Sequence, residues 1–123
     1  VRFYVDVIGF RIAFERPEEL FVYLERGNVH LMLQSANGPG RRFRTAALQQ
    51  PFGRGVNFQI KVANVDKVYA IATKQECTIV LAIEDRWYRQ SVREVGNRQF
   101  VIADPDGYLL RLYSDLGERK LCP

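Results

Sequence analysis

The sequence predicts an α+β fold on three observations: seven short runs in which apolar and polar residues alternate, two windows in which apolar residues recur three and four apart, and a similar order of these elements in both halves. The length of 123 residues fits one ordinary domain, since an independent core takes about 100–150 residues. An apolar fraction of 47% with 12% aromatics supplies a core and excludes wholesale disorder.

Taken in order, Val1 to Ile8 reads as a short helix, with Phe3, Val7 and Ile8 on one face and Gly9 placed to end it. Phe10 to Glu15, Leu20 to Glu25 and Val29 to Gln34 read as strands, parted by a turn at Pro17-Glu18-Glu19 and a tight turn at Arg26-Gly27-Asn28. Ser35 to Gly53 is rich in Gly, Pro, Arg and Gln and reads as a linker or lid, with one turn of helix expected over Thr45 to Gln50. Gly55 to Val62 alternates cleanly, Asn57, Gln59 and Lys61 against Phe58, Ile60 and Val62. A helix follows, capped by Asn64 or Asp66, carrying Val65, Val68, Tyr69 and Ala72 on one face and ending near Lys74 or Gln75. The remaining strands are Ile79 to Glu84, Asn97 to Ala103 and Tyr108 to Ser114. The last two are joined by Asp104-Pro105-Asp106-Gly107, where Pro presets φ, Asp can bond nearby amides and Gly accepts positive φ. That tetrapeptide is too short for a calcium loop.

Residues 1–34 thus run helix and three strands, 35–54 form a linker loop, and 55–114 run strand, helix and three strands. Phe21-Val22-Tyr23, a Gly-containing turn and Val29-His30-Leu31 match Phe100-Val101-Ile102, a Gly-containing turn and Leu110-Arg111-Leu112. The first half lacks one strand, and the repeat leads us to expect a strand and its cap upstream of Val1, about 20 residues in all.

No apolar run reaches the roughly 18 residues of a membrane span, no export signal opens the chain, and Cys77 and Cys122 read as reduced thiols, so a cytoplasmic protein is expected. The net charge of +4 favours anions. Arg41, Arg42, Arg44 and Arg54 are the most visible basic cluster, either a solvated loop or an anion contact. Nucleic acid ranks last among partners, because domains that bind it present a denser basic stripe with exposed aromatics. One imidazole, no nucleophile elbow and a Gly38-Pro39-Gly40-Arg41 stretch without the Lys-Ser/Thr of a phosphate loop leave little other chemistry.

Phe3-Tyr4-Val5-Asp6-Val7-Ile8-Gly9-Phe10 resembles an FY-x-D-x-LGF signature, and Phe100 to Leu110, with Asp104-Pro105-Asp106-Gly107-Tyr108, resembles an F-x-x-x-DPDGY end signature. Both mark the vicinal oxygen chelate superfamily of glyoxalases, extradiol dioxygenases, fosfomycin-resistance enzymes and bleomycin-resistance proteins. Arg86-Trp87-Tyr88-Arg89 before Asn97-Arg98-Gln99-Phe100 is similar to the bleomycin-resistance branch. The resemblance implies two βαβββ modules forming a curved half-open sheet, with a cupped site on its concave face and usually a homodimer.

In metal-using members the ligands come from the first and last strand of each module. The resemblance puts those positions at His30, Asn57 and Arg111, with glutamate expected where Arg111 stands and the fourth position upstream of Val1. A guanidinium has no lone pair to give a cation, so no metal and no cofactor is expected, and glyoxalase, dioxygenase and fosfomycin-transferase activities are disfavoured. His30 reads equally as a hydrogen-bonded wall residue, and Arg111 as a salt-bridged one. The period of two puts His30 with Met32 and Gln34, and Arg111 with Leu109 and Tyr113, on faces that are concave in the family.

The expected function is a metal-free homodimeric protein that sequesters a small amphipathic ligand. Phe43, Phe52, Trp87, Tyr88 and Tyr113 are candidates to stack on its ring, and Arg111, Asn57 and Gln59 to orient its polar groups. Bleomycin-type drugs are cationic and this chain is basic, so an anionic or neutral aromatic ligand fits better. The alternative is a divalent-metal-dependent lyase or dioxygenase in which His30 is one ligand.

Overall fold

The computed structural model describes residues 1–41 and 43–121, and divides the chain into two units, Val1–Gln49 and Gln50–Pro123. Arg42 of the basic cluster and Cys122 lie outside the described residues. The fold is α+β, mostly strands with one main helix, in two sheets. Among the described residues no helix is long and apolar enough to cross a membrane.

The first unit opens with a π-helix over Phe3–Ile8, where an ordinary helical turn was expected. The Tyr4 carbonyl accepts from the amides of Gly9 and Phe10, five and six residues on, so the last turn is wide; Gly9 closes it at φ +92°. Three antiparallel strands follow in the order β1 (Arg11–Arg16), β2 (Phe21–Arg26) and β3 (Val29–Gln34). Pro17–Glu19, read as a turn, forms a single turn of 3-10 helix. Tyr4, Val7, Ile8 and Phe10 are buried together with Val22 and Leu24 of one sheet face. No helical turn forms over residues 45–50, because every side chain there is exposed and a lone turn has no apolar face to bury.

The second unit is a complete strand–helix–three-strand module: β4 (Asn57–Lys61), α1 (Val65–Lys74), β5 (Thr78–Gln90), β6 (Arg93–Ala103) and β7 (Leu109–Lys120). Its sheet runs β4-β7-β6-β5, with β4 parallel to β7 and the other pairs antiparallel. Asn64 caps α1 by accepting from the Lys67 amide at 3.1 Å. The helix turns Val65, Val68 and Ala72 inward, and Tyr69 meets Phe100 edge-on with 5.0 Å between ring centres. Ile60, Phe100, Ile102, Leu110 and Leu112 fill the rest of this core. Ser114 ties β7 to the start of the helix, donating to the Val62 carbonyl and accepting from the Val65 amide. Arg98 bridges Asp85 and Asp66, which together raise its proton affinity further.

Strands β5, β6 and β7 extend well past the runs legible in the sequence. Beyond Glu84 and Ser114 the backbone ladder continues with charged side chains facing across β6 and β7, Arg119 with Glu94 at 2.6 Å and Arg93 with Glu118 at 3.2 Å, instead of an apolar face that alternation would reveal. Trp87 lies over Gly96 on the neighbouring strand, where any Cβ would fall 2.8 Å from the indole, and the Arg119 guanidinium stands 4.1 Å from the indole ring.

The Asp104–Gly107 turn is built as its residues suggest. The Asp104 carboxylate accepts from the amides of Asp106 (3.0 Å) and Tyr108 (2.8 Å), and Gly107 takes φ +94°. The end of the linker clamps onto this turn: Phe52 donates its amide to the Asp106 carbonyl, and Pro51 fills the space beside Gly107. A Cβ at Gly107 would lie 2.4 Å from that of Pro51. Gly107→Ala is therefore expected to destabilise by about 3 kcal/mol, positive φ and overpacking adding together. Gly27→Ala, at φ +57° with open space around it, should cost only about 1 kcal/mol. Thermal denaturation of both variants checks the difference.

Candidate functional site

The face of the second unit opposite α1 is a grid fixed by strand register. Gln59 of β4, Arg111 of β7 and Val101 of β6 stand in one row; Lys61, Tyr113, Gln99 and Glu84 make the next; Asn57, Leu109 and Ala103 make the row before. Three of the expected site residues, Asn57, Gln59 and Arg111, therefore share this face with a fourth, Tyr113.

Arg111 is only partly exposed, yet its guanidinium makes no hydrogen bond or ion pair with any described residue, and its Nε is buried without a partner. Buried polar groups are normally satisfied, and an unpaired charged donor is costly. One diagonal step away, Gln99 is 1% exposed. Its amide nitrogen donates to Glu84 Oε1 (3.2 Å) and to the Tyr88 hydroxyl (2.5 Å), and its Oε1 is buried with no partner. The amide orientation follows from chemistry, because a carboxylate oxygen needs the nitrogen opposite it. A lone donor and a lone acceptor thus stand on neighbouring positions of one sheet face.

The expected aromatic contacts divide. Tyr88 joins the Gln99 cluster. Trp87, its neighbour on β5, turns to the other side over Gly96, as successive strand residues must. Phe52 packs edge-on against Tyr108 at 6.1 Å in the clamp on the turn. In the first unit Phe43 is 82% exposed, with the Arg41 guanidinium 4.8 Å from its ring centre.

His30 and Met32 lie on a face of the first unit that also carries residues the sequence reading did not single out. Phe14 stacks on Tyr23 at 4.8 Å, and Tyr23 meets His30 at 5.6 Å. Met32 pairs across from Tyr23 and is 68% exposed. His30 Nδ1 is 3.7 Å from Glu25 Oε2, and Glu25 also pairs with Arg11. Arg16 lies 4.0 Å over the Phe21 ring.

As metal ligands the family positions do not fit a divalent cation: Arg111 has no lone pair, Asn57 offers one weak oxygen and His30 faces a carboxylate of its own sheet. Among the described residues no three His, Cys, Asp or Glu side chains come together as a metal group.

The second unit is thus a βαβββ module with a helix on one face and, on the other, a polar row in which Arg111 and Gln99 are incompletely bonded. The chain belongs to the glyoxalase/bleomycin resistance protein/dioxygenase superfamily, whose family model matches residues 1–112. Among solved structures it is similar to a member of that superfamily from Vibrio splendidus 12B01, at 35% identity over 94% of this chain and 86% of that one, with a TM-score of 0.46. It is also similar to TioX from Micromonospora sp. ML1, at 20% identity over 93% and 85% of the two chains, with a TM-score of 0.71. Lactoylglutathione lyase from Agrobacterium tumefaciens shares 21% identity over 92% and 81%, with a TM-score of 0.56. These last two likenesses are of fold alone. No curated protein matches the sequence.

A guanidinium with a buried, unpartnered Nε is a burden to the folded protein. Arg111→Met is expected to leave the thermal midpoint unchanged or raise it, by up to about 1 kcal/mol in unfolding free energy. A fall of that size in a melting experiment would show that Arg111 is paired in solution.

Proposed function

We propose that this protein is a metal-free binding protein, acting as a cytoplasmic homodimer, that sequesters a small anionic molecule carrying a flat ring. The observation that carries the reading is the Arg111 guanidinium, partly exposed, with a buried Nε and no partner among the described residues. A ligand oxyanion supplies the missing acceptor, and a charge-assisted bond there is stronger than a neutral one. Gln59 and Asn57, in line on β4, orient the rest of the polar end. Tyr113, beside them, offers a ring for stacking. The net charge of +4 supports an anion over a cationic drug.

The same residue argues against a metal-dependent lyase or dioxygenase, since the position where the family resemblance expects a glutamate ligand holds a fixed positive charge. The likeness to a lyase is one of fold, and fold does not carry chemistry.

Benzoate titrated by calorimetry is the direct test. Binding is expected in the wild type, weakened about tenfold to a hundredfold by Arg111→Met as a charge-assisted hydrogen bond is lost. Equal affinity in both proteins, or no binding in either, overturns the reading. Elemental mass spectrometry of protein prepared without chelator is expected to find no stoichiometric metal, and one nickel, zinc, manganese or iron per chain would instead favour an enzyme.

A further inference from the structure

Resting on the anion-binding reading of Arg111, we infer that the ligand is a carboxylate bearing a neutral N–H or O–H donor close to its acid group, as an N-aroyl amino acid does. Gln99 Oε1 is what asks for the donor. Its residue is 1% exposed, its oxygen is buried and unpartnered, and the other end of its amide is already fixed by Glu84 and Tyr88.

The register places this acceptor beside the anion site. Arg111 pairs with Val101 and Gln99 with Tyr113, so Arg111 and Gln99 are diagonal neighbours on one face, with backbones about 7–8 Å apart. A carboxylate oxygen against Arg111 leaves a group a few bonds along the same molecule within reach of Gln99. A simple aryl carboxylate satisfies Arg111 alone and leaves Gln99 Oε1 orphaned, a cost that the donor-bearing ligand removes.

The donor is neutral rather than an ammonium. The Arg111 guanidinium stands one diagonal step away on the same face and repels a second cation, so the charge that draws the carboxylate opposes an ammonium beside it. Glu84 and Tyr88 act here as positioning residues that hold the Gln99 amide nitrogen and leave the oxygen as its open end. The polar row thus selects for an adjacent pair of groups, an acceptor for Arg111 and a donor for Gln99.

Two probes that differ only at the donor test this. Hippurate carries an amide N–H where 3-benzoylpropionate carries a methylene, and both keep the ring, the carbonyl and the carboxylate. Calorimetry on the wild type is expected to show hippurate bound about fivefold to tenfold more tightly, the worth of one neutral hydrogen bond that rescues a buried acceptor. In Gln99→Met that preference should vanish, hippurate and 3-benzoylpropionate then binding with equal affinity. Equal affinities in the wild type, as would follow if Gln99 and Arg111 satisfied each other directly or through a water, overturn the inference and leave the Arg111 reading standing. A preference that survives Gln99→Met also overturns it. Failure of both probes and of benzoate brings down the anion-binding reading itself. The wild-type comparison decides even if Gln99→Met does not fold.

Discussion

The second unit hangs on one carboxylate. Asp104 accepts the amides of Asp106 and Tyr108 and so fixes the turn from which β7 sets out, and β7 touches β6 on one side, β4 on the other and α1 through Ser114, leaving β5 alone to reach it through β6. A strand's side chains alternate between faces, so a slip of one residue at that turn would carry Arg111 into the helix-facing core and bring Leu110 or Leu112 out. The Pro51 and Phe52 contacts on the turn guard the same register from outside. The DPDGY signature therefore serves here to place β7, and through it the polar row, rather than to contribute side chains that handle a ligand.

The sheet faces of the two units differ in kind. In the first unit, the face with Phe14, Tyr23, His30 and Met32 is aromatic, and its charges are consumed locally: Glu25 by Arg11 and His30, Arg16 by the Phe21 ring and Glu19. In the second, Arg111 and Gln99 keep hydrogen-bonding capacity that nothing among the described residues takes up. Stability alone does not favour such a pair, since a buried donor and a buried acceptor left open cost more than two apolar side chains of the same size.

Much of this was legible in the sequence, and the gaps have physical causes. The two helices and the alternation within β4 and β7 follow from periodicity and the turn from its residue types, while the place of Arg111, Asn57 and Gln59 on one shared face came from the family resemblance and is set by the register of β4 on β7. Strand ends were not legible where β5, β6 and β7 are held by ion pairs, because a run charged on both faces carries no alternation. The π character of the opening helix was not legible, because its apolar residues also satisfy ordinary helical spacing. Gln99 could have been found: it precedes Phe100, a core residue, and so must face the other way. Tyr88 was named only as a stacking ring; its bond to Gln99 and the place of Glu84 were not legible, because bulges around Leu81 shift the pairing of β5 against β6 in a manner no local pattern records. Phe14 and Tyr23 carried no signal of their own in the sequence; they form a surface stack because β1 is exposed from Arg11 to Glu15.

The chain has a single tryptophan, and its setting decides what the intrinsic emission of this protein reports. Trp87 rests on the bare backbone of Gly96 with the Arg119 guanidinium against its ring. Its excited state is sensitive to the nearby cation and to any loosening of the charged ends of β5, β6 and β7. Fluorescence therefore follows the fraying of that end of the sheet, and a chromophore-free heat measurement is the fairer record of the core around Phe100.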